Sequence, residues 1–425
     1  MEKILIKNGR LVDPANNIDE KRDILIEDGK IKEVADCIMQ IGDAKEINAE
    51  GKAVMPGFID LHVHLREPGF EYKETVETGA KAAARGGVTS ICPMPNTKPV
   101  IDSDESITDL LKRAENSPVH ILPIGACTVG QEGKELADIE GMKEAGIVAL
   151  SEDGKSVMDS SLFRKSLKEA ARLNLPMFSH CEDKALVEGG VMNAGKKAEE
   201  LGLPGITNSV EDVIVARDII MSKEAGNRLH LCHCSTADSV VLVEMAKKQG
   251  LSVSAEVCPH HFTMSDDEIT EDNGRFKMNP PLRSRADVDA LKEGLKNGIM
   301  EVISTDHAPH GEEEKNQTML KAPFGIVGLE TSFALGYTEL VDKGVLTLSQ
   351  LVEKMSVNPA KVLGIDKGNL AQGKAADIVI ADITEEYEID SKKFVSKGKN
   401  TPFDGKKVKG RVITTIVDGK IVYHE

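Results

Sequence analysis

The sequence predicts an α/β protein: a (β/α)8 barrel of the TIM type over residues 54–368. A small β-sandwich, built from residues 1–53 and 369–425 together, is expected beside it. Three observations predict this. Eight short apolar runs recur between helix-like stretches, histidines gather at the ends of those runs, and both termini alternate apolar with polar residues.

The chain opens with KILIKNGRLV and RDILIEDGKIKEVA, two strand patterns in which EDGK is a hairpin turn. Its other end repeats that texture in ADIVIADI, GRVITTIV, the turn DGK and IVYHE. Neither end shows helical periodicity, so the two are expected to pair in one small β unit.

Between them the pattern changes. The apolar runs are VMPGFIDLHVH, GVTSICPMPN, VHILPIGACT, GIVALSEDG, LPMFSHCED, RLHLCHCS, LSVSAEVCPHH and MEVISTDHAPH. Helical stretches such as ETVETGAKAAARGG, SLFRKSLKEAARLN and SVEDVIVARDIIMSKEAG separate them. Eight alternations are what a (β/α)8 barrel requires, and such barrels carry their chemistry at the C-terminal ends of the strands.

That rule brings distant residues together. Strand one ends in His62 and His64, strand four in Asp153, strand five in His180, strand six in His233 and strand eight in Asp306. His62 and His64 are two residues apart and face the same side of a strand. A single strand histidine is usually a core residue. Four histidines and two carboxylates at one mouth form a nitrogen and oxygen donor set suited to zinc or a similar divalent ion. Six donors exceed the needs of one four-coordinate ion. One or two ions are therefore expected, with two favoured, activating a water and polarising a carbonyl together. Asp153 is the better-placed bridge, with its neighbour Glu152 as the alternative. Asp306 can both ligate an ion and take the proton of the attacking water.

Other residues suit an anion. Arg66 lies two residues beyond His64 and can grip a carboxylate with two parallel hydrogen bonds. Asn96 in PMPNTKP and Asn279 in KMNPPLR follow strands two and seven in proline-stiffened loops. Each can present an amide in fixed orientation, although an Asn–Pro neighbourhood also makes a simple turn.

Composition narrows the partners. A net charge of −17 disfavours nucleic acid and anionic membranes as broad-surface partners, while leaving room for a small anionic substrate. The opening segment is too polar for a signal peptide, and no apolar stretch approaches membrane-spanning length, so a cytoplasmic location is expected. The seven cysteines suggest no disulfide framework. Cys232 and Cys234 flank His233, but without a second pair they match structural zinc spacing poorly.

With these residues in place, the chain resembles the dihydroorotases, metal-dependent cyclic amidases of the amidohydrolase superfamily. DLHVHLREP and STDHAPHGEEEK resemble the family's two signatures, and PMPNTKP, SHCED, KMNPPLRS and APFGIVGLE resemble further family segments in the same order. The resemblance runs along essentially the whole chain. It implies metal ligation by His62, His64, Asp153, His180, His233 and Asp306, with Asp306 also the catalytic acid/base. Substrate contacts are implied for His64, Arg66, Asn96, Asn279, His310 and the backbone at Phe324 and Gly325. The implied reaction is reversible cyclisation of N-carbamoyl-L-aspartate to (S)-dihydroorotate with loss of water, in pyrimidine biosynthesis.

Many superfamily members bridge two ions with a carbamylated lysine after strand four. Here that strand ends ALSEDG, which resembles the longer-chain bacterial type with an aspartate bridge. The rival readings are another cyclic amidase, allantoinase or hydantoinase, and a non-catalytic homologue kept as a partner of aspartate transcarbamoylase. A homodimer or higher homo-oligomer is expected, and association with aspartate transcarbamoylase is left open. Finally, residues 307–323 carry GEEEKNQ and little apolar anchor before Met319, so this loop is expected to be a mobile lid that brings His310 onto the substrate.

Overall fold

A computed structural model describes residues 3–39, 42 and 44–425. Strands β1 (Ile4–Asp13), β2 (Ile18–Glu27) and β3 (Lys30–Ala35) form an antiparallel meander, with β4 (Lys45–Asn48) and β5 (Ala53–Pro56) both parallel to β1. Because β4 pairs with the start of β1 and β5 with residues 10–11, the sheet forks there. The unit is sealed on one side by Ile4, Ile6, Ile24, Ile26, Val54, Ile378 and Ile416, all buried.

The parallel strands follow directly. They are β6 (Phe58–Val63), β7 (Val88–Pro93), β8 (His120–Ile121), β9 (Ile124–Ala126), β10 (Ala149–Ser151) and β11 (Met177–Ser179). After the two-residue pair β12 (Met192–Asn193) and β13 (Gly205–Ile206) come β14 (Leu229–Leu231), β15 (Val253–Val257) and β16 (Val302–Ile303). They pair in the orders β6-β7-β8 and β9-β10-β11-β14-β15-β16. A parallel bridge from Val63 to His307 joins the first strand to the last, with His64 N donating to His307 O at 2.8 Å. The third strand is split at Leu122–Pro123, where proline has no N–H to continue a ladder.

Helices α1 (Val76–Arg85), α2 (Asp104–Arg113), α3 (Ile139–Ala145), α4 (Ser160–Arg172), α5 (Lys196–Leu201), α6 (Ser209–Ala225), α7 (Ala237–Lys248), α8 (Pro259–Thr263) and α9 (Arg285–Lys296) lie between these strands. Six of them open on a side chain that accepts a first-turn N–H: Thr75, Ser103, Asp138, Asp159, Thr236 and Ser284. Such caps satisfy donors that the helix leaves unpaired, and they set where each connection ends.

The C-terminal strands return to the first sheet: β17 (Ile378–Asp382) pairs with β5, then β20 (Arg411–Val417) and β21 (Lys420–His424) extend it. A separate pair, β18 (Tyr387–Glu388) and β19 (Lys407–Val408), lies between them in the chain. The terminal sheet therefore runs to Pro56, past the boundary expected at residue 53. Ladder bonds of Ala53–Pro56 to Ile378–Ala381 explain the extension. Among the described residues no helix is long and apolar enough to cross a membrane, and all seven cysteines are free thiols.

Candidate active site

His62 lies on β6 and His64 just past its end, so both imidazoles rise from one face of one strand. Asp153 follows β10, His180 follows β11, His233 follows β14 and Asp306 follows β16. All six are buried, none more than 6% exposed. Two of them, His233 (φ 35°) and Asp306 (φ 48°), hold left-handed backbone conformations, as does Arg66 (φ 63°). Each such position costs on the order of 1–3 kcal/mol and persists only where its surroundings over-determine it.

The donor atoms converge on Asp153. Its Oδ1 lies 3.3 Å from His62 Nε2 and 3.3 Å from His180 Nδ1, and its Oδ2 lies 3.4 Å from His64 Nε2. Asp306 Oδ1 is 3.0 Å from His64 Nε2 and 3.5 Å from His62 Nε2. Two compact triads share the aspartate: His62, His64 and Asp153, then Asp153, His180 and His233. Glu152 points elsewhere, accepting from Cys127 N at 3.1 Å, Thr128 N at 3.2 Å and the Thr128 hydroxyl.

Hydrogen bonds on the far side of each ring decide what the near side offers. His62 Nδ1 meets Glu256 Oε1 at 2.8 Å, His64 Nδ1 meets Asn96 Oδ1 at 2.9 Å, and His180 Nε2 meets Glu182 Oε2 at 3.1 Å. A carboxylate or amide oxygen only accepts, so each of these nitrogens carries the hydrogen. In the neutral form of each ring the opposite nitrogen is a lone pair aimed into the cluster, and His180 Nδ1 stands 2.8 Å from His233 Nε2. His62 Nε2 and Asp153 Oδ1 are buried without a hydrogen-bond partner. Lone pairs crowded this closely, and oriented from behind, are the donor set of a cation. Burial alone would raise the Asp153 carboxyl, but His62, His180 and His233 overcome it and hold it well below the usual range. Against the same burial penalty, His62, His64 and His233 hold Asp306 below its ordinary value.

A cavity of about 330 Å³ opens onto this cluster. Arg66, Asn96, Asn279, Phe324 and Gly325 line the rest of it. Arg66 is half-buried, and burial lowers its pKa. Its Nε donates to Pro309 O at 3.2 Å and its Nη2 rests 3.3 Å from His310 Nε2. Among the described residues it has no carboxylate partner. Asn279 Nδ2 donates to Glu182 Oε1 at 3.0 Å, so both asparagines also brace histidines of the cluster. At Gly325 (φ 128°) a Cβ would meet Ala308 Cβ at 2.7 Å, which explains the glycine.

Two expectations gain detail. His310 touches Arg66 and Phe324, both of which line the cavity, its Nε2 donating to Phe324 O at 2.7 Å and its Nδ1 facing Lys73 Nζ at 3.2 Å. Burial, then Arg66, Lys73 and Lys315, push its pKa down to about 2, so the ring is neutral and fixed. The loop over 307–323, expected to be a mobile lid, is tied to its neighbours by several hydrogen bonds in this conformation. Lys315 is 4% exposed and donates to Lys277 O and Pro323 O, each at 2.9 Å, while Gln317 O accepts from Gly274 N at 2.7 Å and Met319 N donates to Asp272 Oδ1 at 2.7 Å. The anchor is a lysine, which a reading of charge as solvated surface passes over. Glu256 and Glu182 were also missed. The signal for Glu256 was available, as a lone carboxylate within the apolar run LSVSAEVC.

Comparison with known proteins agrees with this geometry. A sequence family described as dihydro-orotase-like matches residues 51–239. The chain is 50% identical over 423 residues to the dihydroorotase of Pelotomaculum thermopropionicum, covering 100% of this chain and 99% of that one. It is 49% identical over 425 residues to the dihydroorotase of Syntrophus aciditrophicus, with full coverage of both. Among solved structures, the L-hydantoinase (dihydropyrimidinase) of Arthrobacter aurescens superposes with a TM-score of 0.89 at 30% identity, covering 100% of this chain and 96% of that one. At full-length identities near one half, the chain belongs to the dihydroorotase family.

Proposed function

We propose that this chain catalyses the reversible cyclisation of N-carbamoyl-L-aspartate to (S)-dihydroorotate and water, on a (β/α)8 barrel flanked by a β-sandwich of both termini. One observation carries this reading. A single cavity has crowded imidazole and carboxylate donors on one wall and a carboxylate-free arginine on the other. His62, His64, Asp153 and Asp306 would hold one divalent ion, and Asp153, His180 and His233 a second, with zinc suited to the nitrogen-rich set. Such ions supply Lewis acidity and lower the pKa of a water molecule.

The remaining steps belong to the chain's own residues. In the hydrolytic direction water adds to the ring amide carbonyl and the ring C–N bond breaks. Asp306 takes the proton from the attacking water and returns it to the departing ring nitrogen, which leaves the carboxylate free for another cycle. Its Oδ1 faces His62 and His64, so Oδ2 is the oxygen that carries the proton. Arg66 grips the substrate carboxylate, Asn96 and Asn279 orient the ring, and the backbone at Phe324 and Gly325 closes the side of the cavity. His310, which touches Arg66 and Phe324, would approach the same substrate carboxylate.

A second reading has structural support, because the solved structure named above is an L-hydantoinase (dihydropyrimidinase). Hydantoin has no carboxylate for Arg66 to bind, and residue 153 is an aspartate, which is why dihydroorotate is preferred. Ring opening assayed with dihydroorotate, allantoin and hydantoin, before and after chelation, separates them. Dihydroorotate alone should turn over, and chelation should stop it. A cytoplasmic homodimer or larger assembly, with aspartate transcarbamoylase as a candidate partner, accompanies this reading.

A further inference from the structure

Each half of the donor cluster needs its rings held, and one residue reaches both halves. Glu256 sits on β15 inside the barrel, 0% exposed. A carboxylate there is tolerated only if its oxygens are fully used. Oε1 accepts from His62 Nδ1 at 2.8 Å and from the backbone N–H of His233 at 3.1 Å, and Oε2 meets His230 Nε2 at 3.0 Å. Behind it, His230 Nδ1 lies 2.8 Å from Ser254 Oγ. Because the carboxylate can only accept, it sets every tautomer in this row. His62 and His230 must carry hydrogen on the nitrogen facing Glu256, and Nδ1 of a neutral His230 is then left to accept from Ser254.

From this geometry we infer that Glu256, backed by His230, is the positioning residue that keeps the two halves of the centre in register. It acts on the His62, His64, Asp153 group through an imidazole ring. On the Asp153, His180, His233 group it acts through a main-chain N–H, at a residue whose left-handed backbone (φ 35°) must be held in place. The other braces reach less far. Asn96 serves His64 and, by a longer 3.4 Å contact, Asp153, and Glu182 serves His180. Removing Glu182 should loosen one half, whereas removing Glu256 should loosen both. This inference rests on the metal-dependent reading above.

The test is a zinc titration against a chromogenic chelator on the full chain, without substrate. Partners behind metal-ligating histidines typically matter by about 10–100-fold in affinity. Glu256→Gln keeps the shape, removes the charge, and should weaken both zinc equivalents by about that factor, while Glu182→Gln should weaken mainly one. At saturating zinc, Glu256→Gln should lower kcat and leave KM for dihydroorotate within about threefold, since Arg66 is untouched. Should Glu256→Gln fail to fold, His230→Gln serves instead and should weaken both equivalents severalfold. Zinc affinity within about twofold of the parent in whichever variant folds would overturn the inference, as would loss of a single equivalent. A parent that binds no zinc would overturn the metal reading along with it. A parent that binds zinc but ignores dihydroorotate would refute only the substrate.

Discussion

The two walls of the cavity are built by opposite means. The histidine and aspartate wall stands on the ends of parallel strands, and three of its rings are held from behind by Glu256, Asn96 or Glu182. The arginine wall hangs on loops. Arg66 stands in a left-handed turn beyond β6, Gly325 lies in a stretch only glycine can enter, and Lys315 laces the loop after β16 to its neighbours. Rigid ladders hold donors to within a few tenths of an ångström, as bond-making chemistry needs. Loops can change without disturbing the ladders, which suits them to choosing the substrate. The division predicts that damage to the first wall destroys turnover, and damage to the second changes affinity.

The largest effect is expected at the strand ends. His62→Ala or His180→Ala should abolish ring opening and lower bound metal, with little change in thermal unfolding of the metal-free protein. The core lies in the apolar strand residues, not at the mouth. Parent-like turnover in metal-depleted His62→Ala protein would break the metal mechanism.

Next comes Asp306→Asn. The amide keeps an oxygen for an ion but cannot take a proton, so kcat should fall about 10²–10⁴-fold while much of the metal stays. Activity within about threefold of the parent would show that the proton goes elsewhere.

On the loop wall, Arg66→Lys keeps charge and loses the paired geometry, so it should mainly raise KM for dihydroorotate. Arg66→Met should raise it further, by about tenfold or more if a charged hydrogen bond of about 1.5–3 kcal/mol is lost. Steady-state kinetics on both variants decide whether the arginine reads the carboxylate. Unchanged KM in both would make it a structural residue.

The smallest effect concerns the laced loop. Burial, and then nearby Lys277, push the Lys315 amine down from 10.5 to about 7. Between those values the unfolded chain binds the proton that the folded chain has released, so stability rises with pH across this window. Below about pH 7 both states are charged and the burial penalty is felt in full. Relative to Lys315→Met, the parent should therefore gain about 2 kcal/mol between about pH 6.5 and about pH 9. Urea unfolding at both pH values measures it, and a flat difference would show that the amine stays charged in its site.

Much of the strand wall was legible in the sequence because its logic is periodic. Side chains two apart on a strand share a face, and strand ends in such barrels share a mouth, so His62, His64, Asp153, His180, His233 and Asp306 could be grouped from spacing alone. The pairing of the two termini was legible for the same reason. Roles that depend on a partner far away in the chain were not. Glu256 looked like a stray charge in an apolar run, and only the approach of His62, 194 positions away, gives it work. His310 lies four residues past Asp306, yet only the fold sets its ring beside Arg66 and gives it to Phe324 O. Lys315 read as solvated charge, but two carbonyls from separate segments take its ammonium inside.

By itself, then, the order of residues determined which side chains rise from strand ends and hence the chemistry of the donor wall, since local backbone geometry decides which way a side chain points. The tertiary structure alone decided which nitrogen of each ring is left bare, which arginine lacks an anion and which loop is tied down. Those properties depend on hydrogen-bond partners and burial, and both are set only when distant segments meet.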